Sequence, residues 1–430
     1  MKKIINLIRN NMVVKNMSWM VGERLVQMCV GFIISLISAR YLGPTNYGVI
    51  NYTLAFVTFF TSLSSLGLDG IIINRIVSES ENQGKILGTA LVMRLISSAL
   101  SWISIILILF FLHPNEIVYV IVGALQGIRL IFASFEMLDM WFQSRLQSKI
   151  PAILRTITYF IVSGYKIYIL ATAKSVEWFA FSNSLDGIII SFLFYFAYKK
   201  NKGQAFEFDW GVGKSLLKMS SSFILAGLMV QIYAQTDKMM LGQLLSVESV
   251  GYYSIGSYLN NLFNFIPTAI IASLRPGIIS AYSESHDRFV NKLEKMYSLV
   301  FWGCIVYALF ITIFAPIMIN FLYGEAYSPA IIPTQIIVWC GVWSQMGVAR
   351  DVWIICEKKQ KYSPFFALLG AITNVCLNFV LIPILGTSGA ALATIISQFV
   401  TGFVVTALFN DTRIHNRYII DAVLLKWRHQ

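Results

Sequence analysis

The chain has 430 residues, of which 57% are hydrophobic, 14% aromatic and only 13% charged, and its formal net charge is +12 at pH 7. Too few charged side chains are present to coat a soluble domain of this length, so the composition describes an all-α integral membrane protein. The positive excess does not indicate nucleic acid, because Lys and Arg fall in short gaps between apolar runs, the pattern that orients a chain across a bilayer.

Met1 to Met17 reads as a basic amphipathic tail, with Lys2, Lys3, Arg9 and Lys15, suited to the inner membrane surface. The first apolar run is too long for a signal-peptide core and lacks a small-residue cleavage site, so it is expected to remain as a span. Apolar runs of about 20 residues or more follow near 18–40, 48–68, 86–112, 117–140, 151–172 and 176–198. A polar, basic segment comes next, then runs near 219–241, 250–272, 297–322, 329–356, 364–385 and 388–409. The expected organisation is therefore about twelve transmembrane helices: a first six-helix lobe at 1–198, a cytoplasmic linker at 199–218, and a second lobe with its tail at 219–430. Lys and Arg concentrate in the two tails and the even-numbered gaps, against Arg40 and Lys174 in the odd-numbered ones. Both termini are thus expected on the cytoplasmic side.

Between the first two runs, Ala39 to Tyr52 has the makings of an interfacial turn. Gly43 and Pro44 stop one helix, Thr45 or Asn46 can cap the next, and Arg40, Tyr41 and Tyr47 are residue types that sit at head-group depth. Leu42 and Gly48 recur as Leu245 and Gly251 at an offset of 203, each ahead of a Tyr-containing apolar run. Together with the matching six-span layout, this suggests a parallel internal repeat. Ser18 to Arg24 and the turn resemble the first helical hairpin of the polysaccharide (O-antigen) flippases, in the superfamily that also holds lipid II flippases and multidrug extrusion antiporters. Further resemblance lies at Asp237 to Tyr253, at Gly324 to Tyr327, and at Leu381 to Gln398, where Pro383 is expected to stop a helix and Gly386 and Gly389 to make a turn.

Charges inside the runs carry the functional argument, because one retained near the bilayer centre faces a protein interior or a wet cavity. Arg129 and Asp186 lie near the middle of their runs, Lys166 is off the middle, and Arg94 and Arg24 sit toward the cytoplasmic ends. Gln126, Arg129 and Glu136 share one helix face, with Asp139 a turn beyond, and Arg155, Tyr159 and Lys166 share another. The second half has uncharged polar pairs instead, Gln231 with Gln235, Asn260 with Asn264 and Asn374 with Asn378, while Asp237 with Lys238 and Arg350 with Asp351 lie near span ends. Arg24, Arg94, Arg129 and Lys166 are the candidates to hold an anionic head group, and the three amide pairs to contact sugars. Asp186 and Glu136 are the candidates for proton or Na+ coupling.

The five cysteines share no CxxC spacing and the four histidines lie in loops or the tail, so no metal site is indicated. The only Gly-Lys-Ser, at 213–215, would need a glycine at 208 for a phosphate loop, and that residue is Phe208. Short outer gaps leave no room for the catalytic domain of a glycan polymerase or ligase. The resemblance implies a MATE-like transporter, not an enzyme, without cofactors, moving undecaprenyl-pyrophosphate-linked oligosaccharide to the outer leaflet of the bacterial inner membrane. The partners it implies are that glycolipid, membrane lipid, and polysaccharide polymerase and chain-length proteins. The alternative within the fold is an H+- or Na+-coupled antiporter of organic cations, which four basic lumen residues would disfavour.

Overall fold

A computed structural model describes residues 12–426, so Lys2, Lys3 and Arg9 of the basic tail and the last four residues lie outside the described residues, as do the side chains of Lys15 and Glu23. The described residues contain helices and no strand. In chain order the helices are α1 (Met12–Ser65), α2 (Asp69–Ser78), α3 (Gln83–Leu112), α4 (Ile117–Ala133), α5 (Met137–Ser144), α6 (Lys149–Ala171), α7 (Val176–Lys200), α8 (Trp210–Leu244), α9 (Val247–Glu284), α10 (His286–Leu322), α11 (Ile331–Ile337), α12 (Cys340–Cys356), α13 (Ser363–Leu385), α14 (Thr387–Phe399), α15 (Val405–Leu408) and α16 (Ile414–Val423). Ten stretches are long and apolar enough to cross a membrane, and the bent pair Glu325–Ile337 and Cys340–Cys356 makes eleven. α1 holds the first two expected spans in one run. Its 54 residues would reach about 80 Å as one rod, far beyond a hydrocarbon core of roughly 30 Å. Gly43, at φ 67° and ψ 174°, breaks it; a side chain there would be strained.

The chain divides into two compact units, Met1–Leu42 with Thr53–Gln231, and Gly43–Tyr52 with Ile232–Gln430. The expected linker and the first turns of α8 thus go with the first unit, and the Gly43–Tyr52 turn with the second. Physical causes are visible in each. The linker is pinned to the start of α3: Gly84 N–H donates to Gln204 Oε1 at 2.7 Å and Glu207 N–H to Gly84 O at 3.2 Å, and Asp209 N–H donates to Thr89 Oγ1 at 3.0 Å. A Cβ on Gly84 would meet Ala205 O at 2.2 Å, so glycine admits this approach.

In the second unit a Cβ on Gly48 would lie 1.9 Å from Val247 O, and one on Gly251 would lie 2.4 Å from Pro44 O. Val247 and Pro44, like Gly251 and Gly48, are 203 positions apart, so the two repeat-related segments touch reciprocally. Thr45 donates to Glu248 Oε1 at 2.8 Å, again across 203 residues. Arg40 and Tyr41 are exposed as interfacial residues should be, but Tyr47 is buried, edge-on to Tyr327 with ring centroids 6.3 Å apart. Pro383 does not stop its helix; α13 runs through it to Leu385 and ends at Gly386, at φ 61°.

The last apolar helix is interrupted by a π-helical turn over Val400–Val404. Such a turn frees backbone carbonyls, and two are taken by side chains: Arg350 Nη1 donates to Thr401 O at 2.6 Å and Asn416 Nδ2 to Phe403 O at 3.0 Å. Arg350 also lies 3.9 Å from Asp351, whose carboxylate is largely exposed. The tail, expected only as a basic extension, forms α16 and packs on α10 through His415, which meets Tyr297 OH at 2.9 Å.

Burial, with Arg350 adding to it, holds the His415 imidazole well below its ordinary 6.5. Above that value folded and unfolded chains are both neutral there; below it the unfolded chain takes a proton that the fold refuses. Thermal stability is expected to fall as pH drops below about 6.5, and the slope to flatten in His415→Gln.

Candidate functional site

The first unit contains an alternating chain of charge. α4 ends in a short 3-10 turn, Ser134–Glu136, that leads into α5, so Arg129, Glu136 and Asp139 follow one another down one side of the bend. α7 brings Asp186 and α6 brings Arg155. Arg129 is ion-paired to Asp186 and lies 3.5 Å from Glu136; Arg155 lies 3.3 Å from the other oxygen of Glu136 and 3.0 Å from Asp139. The backbone fixes the first arginine: Arg129 N–H donates to Ser184 Oγ at 3.2 Å, and a Cβ on Gly187 would lie 3.2 Å from Arg129 Cγ.

Arg129, Glu136, Asp139 and Arg155 line a cavity of about 320 Å³ whose remaining wall includes Thr61, Ser64, Ser65, Asp69, Ser98 and Ser134. A second cavity of about 260 Å³, lined by Arg24, Gln27, Gln143 and Ser148, shares Asp139 and Arg155 with the first. A polar route thus runs from Arg24 to Arg129 inside an apolar helical unit. Charged groups survive there because each faces an opposite charge or the cavity.

Arg24 and Arg129 line cavities, and Lys166 is half-buried within the Coulombic reach of Asp186 and Arg129. Arg94 does not line the cavity. It is 3% exposed, sits behind Asp69 and donates to it, so it positions a carboxylate rather than facing a ligand. Nor is the cavity simply cationic, because Asp69, Glu136 and Asp139 line it beside Arg129 and Arg155. Sequence spacing placed Arg155 on the face of Lys166 but did not rank it a candidate; it shares the carboxylate of Glu136 with Arg129 and lines the same cavity.

Two acids of the second unit are buried among the described residues, Asp237 and Glu294. Asp237, 4% exposed, accepts hydrogen bonds from Asn374 Nδ2 at 3.0 Å, Asn378 Nδ2 at 2.7 Å, Thr394 Oγ1 at 2.5 Å, and Tyr253 OH. It is more than a simple partner of Lys238. Asn374 and Asn378 are fully buried and spend their amides on this carboxylate, so they are not glycan contacts. Every neighbour now donates, yet the same groups carry enough oxygens to turn toward a proton or small cation. Asn260 and Asn264 direct unpaired carboxamide oxygens at Gly341, just after the break between α11 and α12. Gln231 and Gln235 are half-buried on α8. Among the described residues no group of three or more His, Cys, Asp or Glu could hold a metal.

Residues 37–332 match the family described as polysaccharide biosynthesis protein. No curated protein matches the chain in sequence. Among solved structures, the lipid II flippase MurJ in an inward closed conformation aligns with a TM-score of 0.72 at 14% identity, covering 95% of this chain and 91% of that one. An inward-facing multidrug resistance MATE family transporter of the MOP superfamily aligns at 0.68 and 15%, covering 93% and 96%. MATE in its bent conformation aligns at 0.59 and 14%, covering 98% of both chains. At these identities the likeness establishes the fold.

Proposed function

The chain belongs to the polysaccharide biosynthesis protein family, and on that premise we propose that it flips undecaprenyl-pyrophosphate-linked oligosaccharide to the outer leaflet of the bacterial plasma membrane. The movement is alternating access, without a catalytic step or cofactor, and it serves O-antigen, capsule or other surface polysaccharide assembly. Both tails face the cytoplasm, where Lys and Arg accumulate. The partners in this reading are the glycolipid, bulk lipid, and the polymerase and chain-length proteins that use the flipped unit.

The observation that carries it is the arginine pair held by carboxylates in a polar cavity of the first unit. Guanidinium forks suit diphosphate oxygens. A diphosphate that takes Arg129 and Arg155 displaces Asp186 and Glu136, the two carboxylates that in this reading couple the movement to a proton or Na+. Asp237, with its four neutral donors, is the second coupling candidate.

Vesicles loaded with a lipid-diphosphate oligosaccharide and containing the protein should expose the glycan to an impermeant glycosidase. Arg129→Ala should slow exposure by about tenfold or more, since a charge-assisted contact is worth about 1.5–3 kcal/mol. Full exposure with folded Arg129→Ala overturns the site. The three cavity carboxylates, Asp69, Glu136 and Asp139, also favour a second reading, organic-cation antiport; cation efflux from the same vesicles, with no glycan exposure, would establish it instead.

A further inference from the structure

Beyond the polar cavities, the first unit holds an apolar crevice of about 420 Å³ lined by Leu91, Phe132, Phe135, Phe192, Tyr195 and Phe206. Five of the six are from α3, the α4 bend and α7; Phe206 comes from the linker that crosses their ends. The linker is a fixed strap rather than a loose tether. Its Gln204 carbonyl accepts from Tyr198 OH at 2.8 Å, Phe206 stacks on Tyr198 with ring centroids 5.2 Å apart, and its backbone is bonded to Gly84 and Thr89. The crevice is therefore preformed, and a preformed pocket loses little freedom when filled.

Its rim is cationic. The Lys199 ammonium lies 5.7 Å from the centroid of Tyr195, a ring of the crevice wall, and Lys200 and Lys202 beside it are exposed. Lys85, one residue from the strap's anchor at Gly84, is exposed too, against one exposed carboxylate on the strap, Glu207. Phe208 and Trp210, ring centroids 6.3 Å apart, continue the strap as exposed aromatics of the kind found at the membrane–water boundary.

A hydrocarbon-lined slot with lysines at one mouth matches a ligand that has an acyl chain and an anionic head. We propose that the strap and crevice bind an anionic glycerophospholipid, one acyl chain between Phe192 and Phe206 and the phosphate at Lys199 and Lys200. Two features set this site apart from bulk lipid contact: a wall supplied by the strap, and a charge that a neutral lipid would leave unanswered. It lies apart from the Arg129 cavity and does not depend on what that cavity carries.

The test uses the full chain in neutral-lipid nanodiscs doped with a phosphatidylglycerol carrying a photoreactive group on its acyl chain, with crosslinks mapped by peptide mass spectrometry. Crosslinks are expected to concentrate on the peptide spanning 191–206, to resist competition by excess phosphatidylcholine, and to fall several-fold there in Lys199→Gln/Lys200→Gln. Both lysines are exposed, so the double variant leaves the fold intact. Even labelling over other exposed apolar faces, such as Phe310 and Phe321 on α10, overturns the proposal, as does equal competition by phosphatidylcholine. Stronger competition by a polyprenyl diphosphate overturns it as well, by assigning the crevice to a cargo tail. None of these readouts requires transport, so a failed flipping assay and a failed lipid site remain distinguishable.

Discussion

Asp237→Leu is expected to destabilise the second unit by about 3–5 kcal/mol, the scale for removing one partner of a buried ionic network. The carboxylate is the common acceptor for two carboxamides and two hydroxyls from three other helices, α9, α13 and α14. Without it, Asn374 and Asn378 keep buried N–H groups with no acceptor, each costing about 1–3 kcal/mol. Leucine supplies similar volume, so packing is retained and the loss reports the polar network. Asp237→Asn should cost less, because its carbonyl still accepts, while its amide nitrogen faces groups that also donate. Thermal unfolding in detergent measures both. If leucine is tolerated within about 1 kcal/mol, the four donors have other acceptors and the network reading fails. If Asp237→Asn folds but abolishes coupled transport, the charge itself is required.

The membrane class, most spans and the break at Gly43 were legible because they depend on local composition: apolar length, and a glycine before a proline. The grouping of Arg129 with Glu136 was legible because helical periodicity puts them on one side, and the bend at Ser134–Glu136 preserved that side; Gln126, expected on the same face, is buried and accepts from Thr53 instead. What failed depended on partners distant in sequence. Arg94 looked like a lumen cation because its acceptor, Asp69, lies 25 residues away on a short helix. Asp237 read as a partner of Lys238 near a span end because its donors Asn374, Asn378 and Thr394 are 137, 141 and 157 residues downstream. The linker's polarity indicated a loop, and polarity cannot report that Gly84 and Thr89 fasten it to α3. The π-turn leaves no periodic signal, since it is set by Arg350 and Asn416, which reach it from separate helices.

Gly48→Leu is expected to be the most damaging single substitution in the second unit. Even the first carbon of a side chain would stand 1.9 Å from Val247 O, and the obstacle is backbone, which cannot rotate away. Overpacking usually costs about 1–3 kcal/mol where side chains can shift; here the segments must separate, so the cost is expected at or above that range. Gly251→Leu should behave alike, because its own clash, 2.4 Å from Pro44 O, is the repeat-related copy. The reciprocity makes a sharper test than either loss alone. The first alanine must already part Pro44–Gly48 from Val247–Gly251, and the second then finds space that the first has opened. The double variant Gly48→Ala/Gly251→Ala should therefore be less destabilised than the two single losses combined, by the 0.5–3 kcal/mol typical of contacting residues. Strict additivity in the unfolding midpoints would mean that the two glycines do not share one contact. The offset of 203 would then describe ancestry of the sequence without a packing role.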